Sequence, residues 1–201
     1  MSRYIFESAS LVKREARIAI KQHLPYCIWL TGLSASGKST TANALEFELN
    51  KQGVHTYLLD GDNIRSDLNK DLGFDANDRD ENIRRATAVA KLFVDAGLIV
   101  ICAFITPTNS IRKKVRAHFP SKEFCEVFLD TPLAVAEQRD PKGLYRKARA
   151  GELNQFTGID SPFEPSVDAE LTLNTVKNTP KECALQITAF LVRNNIIPLQ
   201  N

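Results

Sequence analysis

The strongest constraint in this chain is the stretch YCIWLTGLSASGKST, Tyr26 to Thr40, where an apolar run feeds directly into a glycine loop. Within it, Gly32-Leu33-Ser34-Ala35-Ser36-Gly37-Lys38-Ser39 fits the pattern G-x-x-x-x-G-K-[ST]. Ala42, Leu45 and Leu49 then recur at helical spacing, with Glu46 and Glu48 off that stripe. Strand, loop and helix in this order make a phosphate site, because the loop N–H groups and the positive end of the helix point at the same place. Gly32, Ser34, Ala35, Ser36, Gly37 and Thr40 are expected around a polyphosphate, Lys38 at its β- and γ-phosphates, and Ser39 on the metal. The loop implies a bound nucleotide polyphosphate with Mg²⁺.

The rest of the chain alternates strand and helix signals. VHTYLLD, LIVICAF, FCEVFLD and AELTLNT are nearly continuous apolar runs, as strands covered on both faces require. With the first strand they predict an α/β fold of the P-loop kinase type: a mostly parallel, doubly wound five-stranded sheet with helices on both faces and ligands beyond the C-terminal strand ends. Ile83, Ala86, Ala90 and Phe93 predict one helix, closed at Gly97 by a left-handed cap. Thr131-Pro132 and Thr179-Pro180 predict two helix starts with capping hydroxyls. At 201 residues without a linker-like tract, residues 25–201 read as one domain behind a basic N-terminal arm, residues 1–24.

Several classes are excluded. A net charge of +2 is too small for nucleic-acid binding, and AGLIVICAF is too short to span a membrane. The N-terminus lacks the order of a secretory signal, which predicts a cytoplasmic protein. Cys27, Cys102, Cys125 and Cys183 have no metal-ligand spacing and are expected to be buried, reduced thiols. A GTPase would need N-K-x-D late in the chain, whereas Asn69-Lys70-Asp71-Leu72 ends in leucine and follows the second strand. Asp75, Asn77 and Arg79 alternate like calcium-loop ligands, but Asp80 stands where the turn needs glycine. A small-molecule kinase fits, since phosphoryl transfer asks mainly for positioning and charge neutralisation.

Acceptor candidates follow the second strand in LDGDNIRSDLNKDLGFDANDRDENIRR. Asp62 is placed to orient an acceptor hydroxyl, take its proton, or help hold the metal's waters, and Arg65 and Arg79 to grip an anion through forked hydrogen bonds. By spacing alone, the alternative is a solvated loop and helix face paired by i,i+4 charges, as Glu81 with Arg85. The run Arg112-Lys113-Lys114-Arg116 reads as a solvated helix face. His23, His55 and His118 share no pattern with acids or cysteines and carry no assigned chemistry.

GLSASGKST, DGDNIR, LGF, DRDENIRR, FITP, DPKGLYRKARAGE and FTGIDSPFE occur in the order and spacing of the adenylylsulfate kinases, which the chain resembles from about Pro25 to Thr175. The resemblance implies transfer of the ATP γ-phosphate to the 3′-hydroxyl of adenosine 5′-phosphosulfate in sulfate activation. It implies an acceptor pocket of Asp62, Asn63, Ile64, Arg65, Phe74, Arg79, Asn82, Ile105, Thr106, Lys142 and Phe156. Phe74 and Phe156 would sandwich the acceptor adenine, while Arg65, Arg79 and Asn82 hold its phosphosulfate. Lys38, Asp62, Thr106 and Lys142 are the implied catalytic set, and Arg139 would lie against the ATP adenine. Residues 141–163 resemble the family's mobile lid, with Lys142, Arg146 and Lys147 as its positive charge and Gly143, Gly151 and Gly158 as its flexible points. A homodimer is implied as well, with Arg14, Arg17 and Lys21 on one face of the arm near the partner, and functional coupling to an ATP sulfurylase.

The chain also departs from the family pattern. Thr106 stands where many bacterial members carry a serine described as a phosphorylated intermediate, so direct in-line transfer is the expected mechanism. TNSIRKK replaces a more charged segment, and Ala35 takes a position that is often glycine, a mild change if its φ is negative. The N-terminal cysteine of the plant members' regulatory disulfide is missing. A kinase of another hydroxyl acceptor and a non-catalytic nucleotide-binding subunit are the alternatives at this point.

Overall fold

Nearly continuous apolar segments pair in a computed structural model, which describes residues 10–199, as a five-stranded, wholly parallel sheet. The strands are β1 (Tyr26–Thr31), β2 (Thr56–Asp60), β3 (Ile99–Ala103), β4 (Phe124–Asp130) and β5 (Leu171–Asn174), ordered β2-β3-β1-β4-β5. The helices are α1 (Arg14–Ala19), α2 (Lys38–Lys51), α3 (Gly61–Arg65), α4 (Ala76–Asp95), α5 (Asn109–Arg116), α6 (Leu133–Arg139), α7 (Leu144–Arg149) and α8 (Pro180–Arg193).

Side chains alternate across the sheet, so β1 feeds two cores. Ile28 and Leu30 join Leu45 and Leu49 of α2 and Ile187 and Leu191 of α8 on one face. Cys27 and Trp29 join Ala86, Ala90 and Val94 of α4 and Val115 of α5 on the other. β1 is central, with Leu30 opposite Ala103 of β3 and Val127 of β4. Asp60 of β2 lies opposite the same Ala103. This register brings the loops after β1, β2 and β3 to one end of the sheet.

The expected ends hold at α4 and α8. Gly97, with φ 90°, follows α4, and Thr179 with Glu182 forms a capping box that starts α8. At α6 the expectation fails: Pro132 is the N-cap residue and no side chain caps the helix. The Thr131 hydroxyl instead lies 2.5 Å from Thr175 Oγ1 and donates to Ser36 O at 3.3 Å, tying the ends of β4 and β5 to the phosphate loop. All four cysteines are free and buried, as expected.

One basic group differs from expectation, and a second is paired within the chain. Of the run on α5, Lys113 and Lys114 are exposed, but Arg112 is 3% exposed and faces Glu126, 2% exposed, in β4. On α1, Arg14 binds Glu123 and Arg17 binds Asp95 of the same chain, while Lys21 Nζ lies 2.5 Å from His55 Nδ1. This part of the arm is therefore stapled to the domain; residues 1–9 of the arm lie outside those described. Among the described residues, no helix is long and apolar enough to cross a membrane.

Candidate functional site

The phosphate loop leaves β1 at its C-terminal end and runs into α2. Its backbone allows little substitution at Gly32, where a Cβ would sit 2.7 Å from Ser36 Oγ and 2.9 Å from Leu129 O. Ala35 has φ 58°, not the negative value under which its replacement of glycine would be mild, and a left-handed alanine costs about 1–2 kcal/mol. Tyr145 of α7 braces this strained turn by donating its hydroxyl to Ser34 O at 3.0 Å. The Ser36 side chain is buried beneath the loop, whereas Ser39 and Thr40 open α2 on the exposed side.

Lys38 folds back on the loop, its ammonium donating to Gly32 O at 3.0 Å and Leu33 O at 2.6 Å. Burial pulls it down to about 8, opposed by the negative charges of Asp60 and Asp62. Two neutral carbonyls thus hold a desolvated cation beside an anion-binding loop, a placement that a polyphosphate would satisfy better.

The segment Asp60-Gly61-Asp62 connects the parts of the site. Asp60 is buried; its Oδ2 accepts from Ser39 Oγ at 2.6 Å, and its Oδ1 caps α3 by accepting from the Asp62 N–H at 2.9 Å. A hydroxyl and one carboxylate beside the phosphate loop are the hard oxygen donors Mg²⁺ takes when phosphates and water complete its shell. Ser39 is expected on the metal from its motif, whereas Asp60 is marked in the sequence only by its place at the end of β2. Asp62 projects outward and pairs with Lys142, which precedes α7, so that the expected lid reaches the end of β2.

Arg79 gathers the residues expected on the acceptor side. It donates through Nε to Phe74 O at 2.7 Å, through one terminal nitrogen to Thr157 Oγ1 at 2.9 Å, and through the other to Gln155 O. The start of α4 is thereby joined to the segment that carries Phe156. Phe74 is 66% exposed, with the Arg65 guanidinium 4.5 Å from its ring centroid. Arg65 also donates to Gly73 O at 2.9 Å. Phe156 is half-buried, edge-on to Tyr145 with 4.9 Å between ring centroids. Asn63 is exposed nearby, whereas Ile64 packs into the core. Asn82 is turned inward: it is buried, and its Oδ1 accepts from Asn69 Nδ2 at 3.0 Å. Thr157, unmarked in the sequence reading, is buried beside Phe156 and holds Arg79.

After β3 the chain turns sharply. Thr106 has φ 42°, unusual for a β-branched residue, and its side chain is buried. Its hydroxyl accepts from Trp29 Nε1 at 3.2 Å and donates to Thr31 Oγ1 at 2.8 Å. The same Thr31 hydroxyl lies 2.6 Å from Ile105 O, leaving Ile105 half-buried at the rim. On the other side of the loop, Arg139 donates to Thr175 O at 2.6 Å and Thr175 Oγ1 at 3.1 Å, presenting its guanidinium at the ends of α6 and β5. Between the loop and residues 158–163 lies a cavity of about 360 Å³ lined by Leu33, Leu133, Ile159 and Phe163.

Residues 24–174 match the family described as adenylylsulphate kinase. An adenylyl-sulfate kinase of Marinobacter nauticus is 55% identical over 186 residues, covering 92% of this chain and 94% of that protein. One from Pseudomonas entomophila is 58% identical over 184 residues, covering 92% and 88%. Among solved structures, an APS kinase of Mycobacterium tuberculosis in complex with AMPPNP and APS is similar with a TM-score of 0.79 at 45% identity, covering 84% of this chain and 98% of that one.

Proposed function

The chain belongs to the adenylylsulfate kinase family and transfers the ATP γ-phosphate to the 3′-hydroxyl of adenosine 5′-phosphosulfate; from that premise we propose which residues carry the transfer. The observation that carries the assignment is the Asp60-Gly61-Asp62 segment, which touches the phosphate loop through Ser39 and the lid through Lys142.

Donor and acceptor meet across this segment. The loop, Lys38 and Thr40 hold the ATP polyphosphate, and Arg139 faces its base. Ser39, with Asp60 behind it, would hold Mg²⁺, which would neutralise phosphate charge when bound. Phe74 and Phe156 stack the acceptor base, Arg65 and Arg79 hold its phosphosulfate, and Asn63, Ile64, Asn82, Ile105 and Thr106 shape the pocket. The acceptor 3′-oxygen forms a bond to the γ-phosphorus while the bond to the β,γ-bridging oxygen breaks, and ADP leaves. Asp62 orients the 3′-hydroxyl and takes its proton, and Lys142 is released from Asp62 to meet the charge on the moving phosphoryl group. Residues 141–163 act as the lid over a single domain of residues 25–201.

The Thr106 hydroxyl already serves two buried partners, which supports in-line transfer without a phosphothreonine. Thr106→Ala is expected to keep turnover within about tenfold of the parent, and intact mass spectrometry after incubation with Mg-ATP to show no added phosphoryl group. A protein-bound phosphate removed by that substitution would overturn the direct mechanism. The proposed function itself is tested by ADP release with adenosine 5′-phosphosulfate, AMP, shikimate, gluconate or no acceptor; only the phosphosulfate should stimulate it.

We place the enzyme in the cytoplasm as a homodimer. Leu11 and Ile20, 99% and 78% exposed on the arm, support a second copy there. The substrate is a mixed phosphoric–sulfuric anhydride, so consuming it pulls forward the sulfurylase reaction that forms it, and the two activities are functionally coupled.

A further inference from the structure

We propose that Arg112 is a positioning residue for the acceptor pocket, fixing in one unit the turn after β3 and the chain that leaves the lid. The inference rests on the pocket assignment above, because Ile105, Thr106 and Phe156 belong to the two pieces that Arg112 joins.

Both terminal nitrogens of this guanidinium are committed to acceptors. One terminal nitrogen donates to Thr106 O at 2.6 Å. The other donates to Asn109 Oδ1 at 2.7 Å, Glu164 O at 2.6 Å and, more weakly, Pro165 O at 3.3 Å. Nε lies 3.3 Å from Glu126 Oε1 as an ion pair, without a hydrogen bond between the two atoms, so charge alone ties the cation to the middle of β4. Its carbon lies 5.9 Å from the Phe163 ring centroid, and Phe163 stacks on Phe128 of β4 at 6.2 Å. Two further bonds close the same joint: Glu164 N–H donates to Pro107 O at 2.8 Å, and Asn109 N–H donates to Glu164 Oε2 at 2.7 Å.

Buried ion pairs are weak evidence for stability, and a hydrophobic pair could fill the same space. What a hydrophobic pair cannot do is hold the Thr106 carbonyl and the Glu164 carbonyl at fixed separation. Thr106 occupies a left-handed conformation that a β-branched residue adopts only when its surroundings impose it. The Arg112 bond to Thr106 O and the Trp29 and Thr31 bonds to the Thr106 hydroxyl are that imposition. From Glu164 the chain runs back through Phe163 to Ser161, whose carbonyl accepts from Gly158 N–H at 2.7 Å, next to Thr157 and Phe156. Arg112 therefore sets the span across which the acceptor is gripped, while the phosphate loop is reached by none of its bonds. Lysine offers one point charge in place of a fork and cannot meet both carbonyls and Glu126 together.

The test compares purified Arg112→Lys, Glu164→Ala and Phe156→Ala with the parent in Mg-ATP-dependent ADP release, reading KM for each substrate, kcat and Tm. Arg112→Lys is expected to raise the KM for adenosine 5′-phosphosulfate about tenfold or more while moving the KM for ATP less than about threefold. Glu164 is exposed, so its alanine variant folds even if the arginine variant does not, and it should give the same asymmetry at about threefold. A lowered Tm with both KM values unchanged, or an equal rise in both, would show a purely structural pair and overturn the proposal. Phe156→Ala tests the pocket by itself. If it leaves the phosphosulfate KM unaltered, the pocket assignment fails; if it raises that KM while the other two variants do not, only the role of Arg112 fails.

Discussion

Replacing Lys38 with methionine is expected to lower kcat on the order of 10³-fold while leaving Tm unchanged or slightly raised. In the structure this ammonium is half-buried and satisfied only by two carbonyls of its own loop. A methionine of similar length removes a desolvated charge, so the unliganded fold loses little. Transfer loses the cation proposed for the β- and γ-phosphates, and deletion of one well-placed electrostatic donor typically costs about 10²–10³-fold. Coupled ADP-release kinetics and thermal unfolding on the same preparation separate the two effects. Parent-like kcat in the variant would remove Lys38 from the transfer step.

Asp62→Asn is the second large effect, with an expected loss in kcat of about 10²–10⁴-fold, the range of positioned acid–base groups. The variant keeps the side-chain shape but accepts a proton poorly, and it also ends the pairing with Lys142. Because both side chains are exposed, that pairing contributes little stability. The double variant Asp62→Asn, Lys142→Met should fall little below Asp62→Asn alone if the two groups act on one step. Full additivity in log kcat would assign them to separate steps. Single-turnover measurements place the loss in chemistry rather than product release.

What the sequence revealed of this protein, and what it hid, follows from which interactions are local. Parallel strands buried on both faces leave continuous apolar runs such as LIVICAF, and the phosphate loop has an obligatory spacing, so sheet, loop and α2 were readable. Arg112 was not, because a charge on a helix reads as solvated unless its partner is known. Glu126, the one acid inside FCEVFLD before its terminal aspartate, was the missed signal: an acid in a buried strand needs a cation. The positive φ of Ala35 and Thr106 was hidden for a different reason, since tertiary bonds impose it on residues with no preference for it. Thr131 looked like a cap because it precedes proline, but its hydroxyl found Thr175 across the sheet end. Asn82 sits among readable polar neighbours, yet it turns inward because Asn69 offers its amide there.

Trp29 is the only tryptophan in the chain. Its ring is wholly buried, stacked on Phe104 at 5.0 Å, and its N–H ends on the Thr106 hydroxyl. The enzyme thus carries one indole fluorophore, dry and rigidly held, whose single polar contact lies at the turn leading into the proposed acceptor pocket. Emission from this indole responds to the local field and to the hydrogen bond to Thr106, so, if the proposed pocket is the acceptor site, docking there is expected to shift it in the unlabelled protein, with no background from a second tryptophan.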